Sequence, residues 1–278
     1  MTPTFIVSHG HYATLEEALR PRGWLRQDWT RQAALGIVGV GAFFTVWSLL
    51  TYLGLIDRKL LPTPHAIAVA FGGSIGDGTL ARELGHTLSR VLTGFALGTS
   101  AGLVVGFAMA LSRHAKAVIY PVFMATFPLP KIALLPLSMV YLGVGEAPIV
   151  AVVALSAFYL LPVNVMAAIG NIDKVYHDVA QNLNVTPSLF RRSVAFPYAL
   201  PMVLAAIRSA WAISLIVVIA AEMLVGGSGL GFLIWQSVQA GEIEVMFSSF
   251  VTIGILGYGS HLLIDGLTRL LVPWQVNV

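Results

Sequence analysis

Three ionisable residues, Lys131, Arg208 and Glu222, stand inside stretches otherwise built of apolar residues. A charge at membrane depth is costly, so such side chains face a bundle interior, a water-filled cavity or a partner, where they serve ion coupling, solute recognition or structure. Arg208 and Glu222 lie fourteen positions apart, about 21 Å along a straight helix, and so need separate partners. A structural hydrogen-bond role suits each of them as well as solute contact does. Lys131 follows Pro128 and Pro130. It either faces a cavity opened by the broken backbone or snorkels to a nearby interface. Gly229 and Gly231 fall in G-G-S-G-L-G just after Glu222, a cluster too flexible to continue a helix.

Other chemistries find little support. The seven histidines show no metal-ligand spacing within a helix, although His9-x-His11 could bind a metal adventitiously, and no cysteine exists to supply a thiolate. No metal site is expected. Neither G-x-S-x-G nor H-E-x-x-H occurs, and G-x-x-x-x-G-K-[ST], the phosphate-cradling loop, is also absent. An intramembrane enzyme using Glu222 or Asp265 as acid or base is the remaining catalytic reading. An ion-coupled secondary transporter or channel built on Lys131, Arg208 and Glu222 is another.

The elements that carry these residues are membrane spans. The 278 residues are 57% hydrophobic and 10% charged, with mean hydropathy +0.82, too apolar for one soluble core. Crossing a hydrocarbon layer of roughly 30 Å takes about 20 helical residues. Six stretches qualify, near 34–56, 91–111, 118–142, 149–169, 199–224 and 247–272. The third is interrupted by prolines, and Pro128 with Pro130 should break it. In the second, Gly94, Gly98, Gly102 and Gly106 recur every four residues on one face, either for close helix packing or to line a conduit.

Lys and Arg concentrate in alternate connections: Arg20, Arg22, Arg26, Arg31, Arg113, Lys116, Lys174, Arg191, Arg192 and Arg269 on one side, Arg58, Lys59 and Arg82 on the other. The positive-inside rule then puts both termini and the 171–198 connection in the cytoplasm. The arm before the first span is too long and too charged for a secretory signal, so that span is read as retained. The net charge of +3 needs no nucleic-acid partner, since juxtamembrane basic residues facing lipid explain it.

The cytoplasmic connection reads as helix, turn, helix. Lys174–Leu183 suits a helix, Asn184 tolerates a left-handed turn, Thr186 can cap a second helix with Pro187 in its first turn, and Ser188–Phe196 continue to Pro197. Leu189, Phe190 and Val194 can share one side while Arg191 and Arg192 project elsewhere. Such a helix fits a groove on another protein or lies on anionic lipid.

Here the residues resemble a family. Asp178-Val179-Ala180, Asn184, Val194 and Phe196-Pro197 follow the spacing of the E-A-A-x-x-x-G-x(9)-I-x-L-P loop of ABC importer permeases. P-L-P-K-I-A-L-L-P-L, L-G-V-G-E at 142–146 and A-A-E-M before G-S-G-L-G look like the nitrate/taurine/sulfonate branch. Asp178, Val179 and Asn184 depart from Glu, Ala and Gly in that pattern. The resemblance implies an all-α integral membrane protein with the type I ABC importer (MetI-like) permease fold: a cytoplasmic arm 1–33, a first span 34–56, an extracytoplasmic connection 57–83, a core 84–272 containing a coupling loop 173–197, and a tail 273–278. It implies a homodimer in the bacterial inner membrane, working with two cytoplasmic ATPase subunits and an extracytoplasmic substrate-binding protein. ATP and Mg would be bound by the ATPase partner and no cofactor by this chain, which is no enzyme by itself. Coupling would rest on Asp178, Ala180, Asn184, Ser188, Leu189, Phe190, Arg191, Arg192 and Pro197. The pathway for a small anionic or aromatic solute is expected along Pro128, Pro130, Lys131, Arg208, Glu222, Gly229 and Gly231.

Overall fold

The computed structural model describes residues 5–7, 11–13 and 28–272. Most of the arm 1–33, including His9, and the tail 273–278 lie outside the described residues. Two short strands, β1 (Phe5–Val7) and β2 (His11–Ala13), pair antiparallel with Phe5 opposite Ala13. All other regular structure in the described residues is helical. The chain divides into two units, Met1–Pro64 and His65–Val278.

In the first unit, α1 (Asp28–Tyr52) carries a 20-residue apolar window, Ala33–Tyr52. It ends at Tyr52, one turn short of the expected boundary at Ile56, because Gly54 adopts φ 71° and turns the chain. Trp47 donates its indole N–H to the Pro62 carbonyl at 3.1 Å.

The second unit follows with α2 (Pro64–Gly76), α3 (Thr79–Leu111), α4 (Arg113–Thr126), a 3-10 turn (Lys131–Leu134), α5 (Leu135–Leu142) and α6 (Glu146–Gly170). Then come α7 (Lys174–Asn182), α8 (Pro187–Phe190), a π turn (Arg191–Ala195), α9 (Phe196–Val225), α10 (Leu230–Ala240) and α11 (Ile243–Leu271). Five helices of the described chain are long and apolar enough to cross a membrane, and the pair formed by α4 with the 131–142 segment, bent by 89°, makes a sixth if it is one span. The second span starts at Thr79 rather than Val91. Its first turns hold Glu83, Thr87 and Arg90, which depress local hydropathy although all three side chains are buried.

Packing of α3 on α6 organises this unit. A Cβ added at Gly98 would lie 2.0 Å from the Ala154 carbonyl oxygen, and at Gly94 and Gly102 it would meet the Val150 and Phe158 carbonyls at 2.9 Å. The four-residue glycine spacing therefore serves close packing. In a bilayer, lipid tails offer as apolar a surface as leucine does, so close backbone approach and the dispersion contacts it permits drive helix association. Val91, Ile149, Val152 and Val153 from these two helices join Leu215 and Val218 of α9 in the largest buried cluster. Phe95 packs edge-on against Trp211 with ring centroids 5.2 Å apart.

The break in the third span is closed by its own lysine. Prolines at 128 and 130 leave the last carbonyls of α4 without helical donors. Lys131 folds back and donates Nζ to the carbonyls of Thr126, Phe127 and Leu129 at 3.1, 2.7 and 2.7 Å. Its ammonium also sits 3.9 Å from the centroid of the Tyr159 ring, whose hydroxyl donates to Thr126 Oγ1 at 2.8 Å. Neither snorkelling nor an open cavity is needed to place this charge. Pro128, Leu129 and Pro130 are exposed beside it.

Candidate functional site

The 171–198 connection builds itself from local signals. Asp173 caps α7 by accepting from the Val175 N–H at 3.0 Å. Beyond its end, Asn184 adopts φ 51°, the only non-glycine residue with positive φ among the described residues. Val185 N–H donates to the Ala180 carbonyl at 2.9 Å and Asn184 N–H to that of Gln181 at 3.0 Å. These two bonds are the Schellman pair, which normally calls for glycine at the left-handed position and accepts asparagine. Thr186 caps α8, its Oγ1 accepting from Leu189 N–H at 3.4 Å, and Pro187 occupies the first turn.

Pro197 does not stop the second helix. It has no N–H for the Ser193 carbonyl, and the chain widens into the π turn before running on as α9. The segment from Pro187 to Val225 is therefore continuous, and α8 joins a core span without a stop. Asp178, Asn184, Ser188, Leu189, Arg191 and Arg192 are exposed, while Ala180, Phe190 and Pro197 are partly buried. Phe190 turns inward onto the His177 ring, with centroids 4.8 Å apart, and braces α8 against α7. Leu189, rather than Phe190, is the free apolar knob, 52% exposed, with Val179 and Leu183 also exposed. Tyr198 Oη donates to the Asn171 carbonyl at 3.1 Å and ties the exit of the loop to its entrance. The result is a braced apolar and cationic surface at one end of α9, with the shape that groove recognition uses.

The opposite end of α9 carries a buried polar network. Glu222, fully buried, accepts from Arg90 Nη1 at 2.7 Å, from Thr87 Oγ1 at 3.0 and 2.9 Å, and from Gly231 N–H at 3.0 Å. Arg90 also grips Glu146 with Nε and Nη2 at 2.5 and 2.7 Å, and donates to the Ser228 carbonyl and hydroxyl at 2.7 and 2.6 Å. Thr87 Oγ1 accepts from Leu230 N–H at 2.9 Å and Glu83 from Gly229 N–H at 2.6 Å. Glu83, Thr87 and Arg90 share one face of α3 and hold the 226–231 loop. Gly229, at φ 100°, admits no side chain, since a Cβ would lie 2.3 Å from the Glu222 carboxylate. The expected pathway residues Glu222, Gly229 and Gly231 are thus all buried inside this network.

Arg208 finds its partner on α11. Its Nη2 pairs with Asp265, and His261 Nε2 lies 3.5 Å from the other Asp265 oxygen. The Arg208 side chain is 36% exposed and that of Asp265 29%. A nearby groove of about 590 Å³, lined by Phe71, Leu88, Trp211, Leu256 and Leu263, is almost wholly apolar and suits acyl chains rather than a polar solute. Among the described residues no group of three or more His, Asp or Glu side chains could hold a metal ion. Arg90, Thr87, Glu83, Glu146 and His261 were not singled out for these roles by sequence reasoning. The signals were helical spacing for Glu83, Thr87 and Arg90 on α3 and for His261 before Asp265 on α11, and the L-G-V-G-E motif for Glu146 at the start of α6.

The family described as binding-protein-dependent transport system inner membrane component matches residues 98–276. A probable ABC transporter permease protein of Brucella abortus (strain 2308) is 32% identical over 86% of this chain and 92% of its own length. The taurine transport system permease protein TauC of Escherichia coli (strain K12) is 27% identical over 90% of this chain and 92% of its own. The nitrate import permease protein NrtB of Synechocystis is 26% identical, covering 71% and 72%. Among solved structures, an inward-facing MetNI methionine ABC transporter chain superposes with TM-score 0.59 at 24% identity, covering 69% of this chain and 95% of that one. That likeness concerns the fold.

Proposed function

The chain belongs to the family of inner membrane components of binding-protein-dependent transport systems, and we propose that it forms the translocation pathway of an ATP-driven importer for a small oxyanion-bearing solute. The relatives named for taurine and nitrate support that solute class, and bicarbonate, another sulfonate or a small aromatic compound are further candidates. Two copies would face each other in the membrane. Each would seat its 173–197 loop in a cytoplasmic ATPase subunit, with both termini on that side and a solute-binding protein delivering cargo to the other. ATP and Mg would be bound by the ATPase partner.

One observation carries the reading: α8, braced by Asn184, Thr186 and the Phe190–His177 contact, continues without a stop into α9. Closure of two ATPase subunits would move both loops and rock the helices rooted in them, opening the pathway to receive solute. Hydrolysis would reset it. The test is the reconstituted complex with its ATPase and binding protein. Leu189→Asp, Phe190→Asp or the double charge reversal Arg191→Glu/Arg192→Glu should abolish solute-stimulated ATP hydrolysis while the subunit remains folded. Normal stimulation in these variants, or uptake driven by an ion gradient without the ATPase, overturns the proposal.

A further inference from the structure

The described membrane segments hold three deeply placed cations, and two are saturated. Arg90 meets two carboxylates and Ser228, and Lys131 meets three carbonyls. Arg208 is different: its ion pair with Asp265 uses Nη2, and its Nε is buried with no hydrogen-bond partner among the described residues. A guanidinium carries five N–H donors in a fixed fork that fits a planar or tetrahedral oxyanion. Asp265 is equally incomplete, with one oxygen toward Arg208 and the other only 3.5 Å from His261.

This pair, with side chains 36% and 29% exposed, does not sit alone. On α11, Tyr258, His261 and Asp265 follow one another at helical spacing on one face, with Tyr258 68% exposed and the His261 side chain 52% exposed. On α9, small exposed residues flank Arg208, namely Ala205, Ser209 and Ala212. Exposed Ile213, Leu262, Leu263 and Leu267 border these residues, but an incompletely partnered ion pair among small residues faces water better than lipid. Net charge then decides the ligand. The pair is neutral when empty, so a simple anion bound to Arg208 leaves Asp265 uncompensated beside it. A solute bearing its own ammonium restores neutrality.

We infer that Arg208 and Asp265 form a recognition site for a short zwitterion, its sulfonate or carboxylate on the Arg208 guanidinium, whose Nε becomes accessible as the pair opens, and its ammonium on Asp265. This narrows the solute class proposed above to its zwitterionic members and rests on the importer reading. The solute enters between the two side chains, exchanging their mutual contact for two contacts of the same sign pattern, and leaves when they re-pair. Specificity arises from rejection as much as attraction, because Asp265 repels an anion that lacks the cationic end.

The test exploits a chain without cysteine. In the purified complex with its ATPase, and with the binding protein omitted, the Ser209→Cys variant is alkylated by a water-soluble maleimide while taurine or isethionate is titrated in. These probes share a sulfonate and differ in ammonium against hydroxyl. Taurine should slow labelling at concentrations roughly tenfold or more below isethionate, the scale on which one lost charged contact is read. Adding Asp265→Asn should erase that preference, Asp265→Glu should keep it, and Arg208→Gln should abolish protection by both probes. Equal protection by the two probes in the Ser209→Cys parent overturns the inference, as does a preference that survives Asp265→Asn or a thiol at position 209 that never labels in any nucleotide state. ATP hydrolysis stimulated by the loaded binding protein, measured on the same preparation, reports separately on the importer reading.

Discussion

Arg90 and Glu222 show how a charge is kept inside a bundle. Each is nearly or fully buried, and a buried pair is stable only when its remaining donors and acceptors are also met. Here they are, by Thr87, Glu146, Ser228 and the Gly231 N–H. The two carboxylates on Arg90 are unequal, because Glu222 is sealed and the Glu146 side chain is 61% exposed. Glu222→Ala should therefore cost about 3 kcal/mol or more, the loss expected when one member of a buried pair is removed. Glu146→Gln should cost about 1 kcal/mol or less, as exposed pairs do. Thermal unfolding of the detergent-solubilised subunit measures both, and equal losses would contradict this ranking. Thr87→Val keeps the shape but strands the buried Leu230 N–H, for a loss of about 1–3 kcal/mol by the same measurement.

Helix α3 offers a comparison between two glycines on one element. Gly98 abuts the Ala154 carbonyl, so Gly98→Ala must push α3 off α6 and should destabilise by about 1–3 kcal/mol. Gly85 is exposed with open space at its Cβ position, and Gly85→Ala should instead stabilise by about 0.5–1 kcal/mol through helix propensity. Opposite shifts in melting temperature are the expected result. In the connecting loop, Asn184→Gly should preserve solute-stimulated hydrolysis, since glycine reaches positive φ freely. Asn184→Val should reduce it severalfold, because a β-branched residue resists that conformation. These elements also mark where sequence reasoning stopped. The helix, turn, helix of 174–196 was legible in its cap, first-turn proline and left-handed asparagine, which act within four positions of themselves, but the inward turn of Phe190 onto His177 and the passage of the helix through Pro197 were not. The four-residue spacing of the glycine ladder left packing and a conduit lining both open, and the α6 carbonyls facing Gly94, Gly98 and Gly102 decide for packing. Neither the partner of Arg208, on another helix, nor that of Glu222, 132 residues away, could be read, since nothing local encodes which helix faces a buried charge. The start of α3 was misplaced for a related reason. Glu83, Thr87 and Arg90 look like a loop in a hydropathy profile and are buried because Glu222, Glu146 and the 226–231 segment supply their hydrogen-bond partners.

For the whole molecule, the arrangement of contacts predicts what moves together. The glycine ladder locks α3 to α6, the Val91, Val152 and Val218 cluster adds α9, and the Arg90 network ties the far ends of all three. Close-packed interiors transmit displacement rather than absorb it. A shift applied at Leu189 should accordingly rotate these helices as a body, with little sliding between them. Such rotation makes exposure along α9 reciprocal. In a cysteine-free chain, Ala205→Cys, near the 171–198 end of the helix, should label readily without nucleotide and resist labelling when ATP is bound and hydrolysis is blocked. Ile216→Cys, about three turns further along the same exposed face, should show the reverse order. The measurement is the rate of maleimide modification at each position in both nucleotide states. If the two rates rise and fall together, the helices open by separation and not by rocking about a fixed core, and the route from α8 to the pathway through α9 must be abandoned.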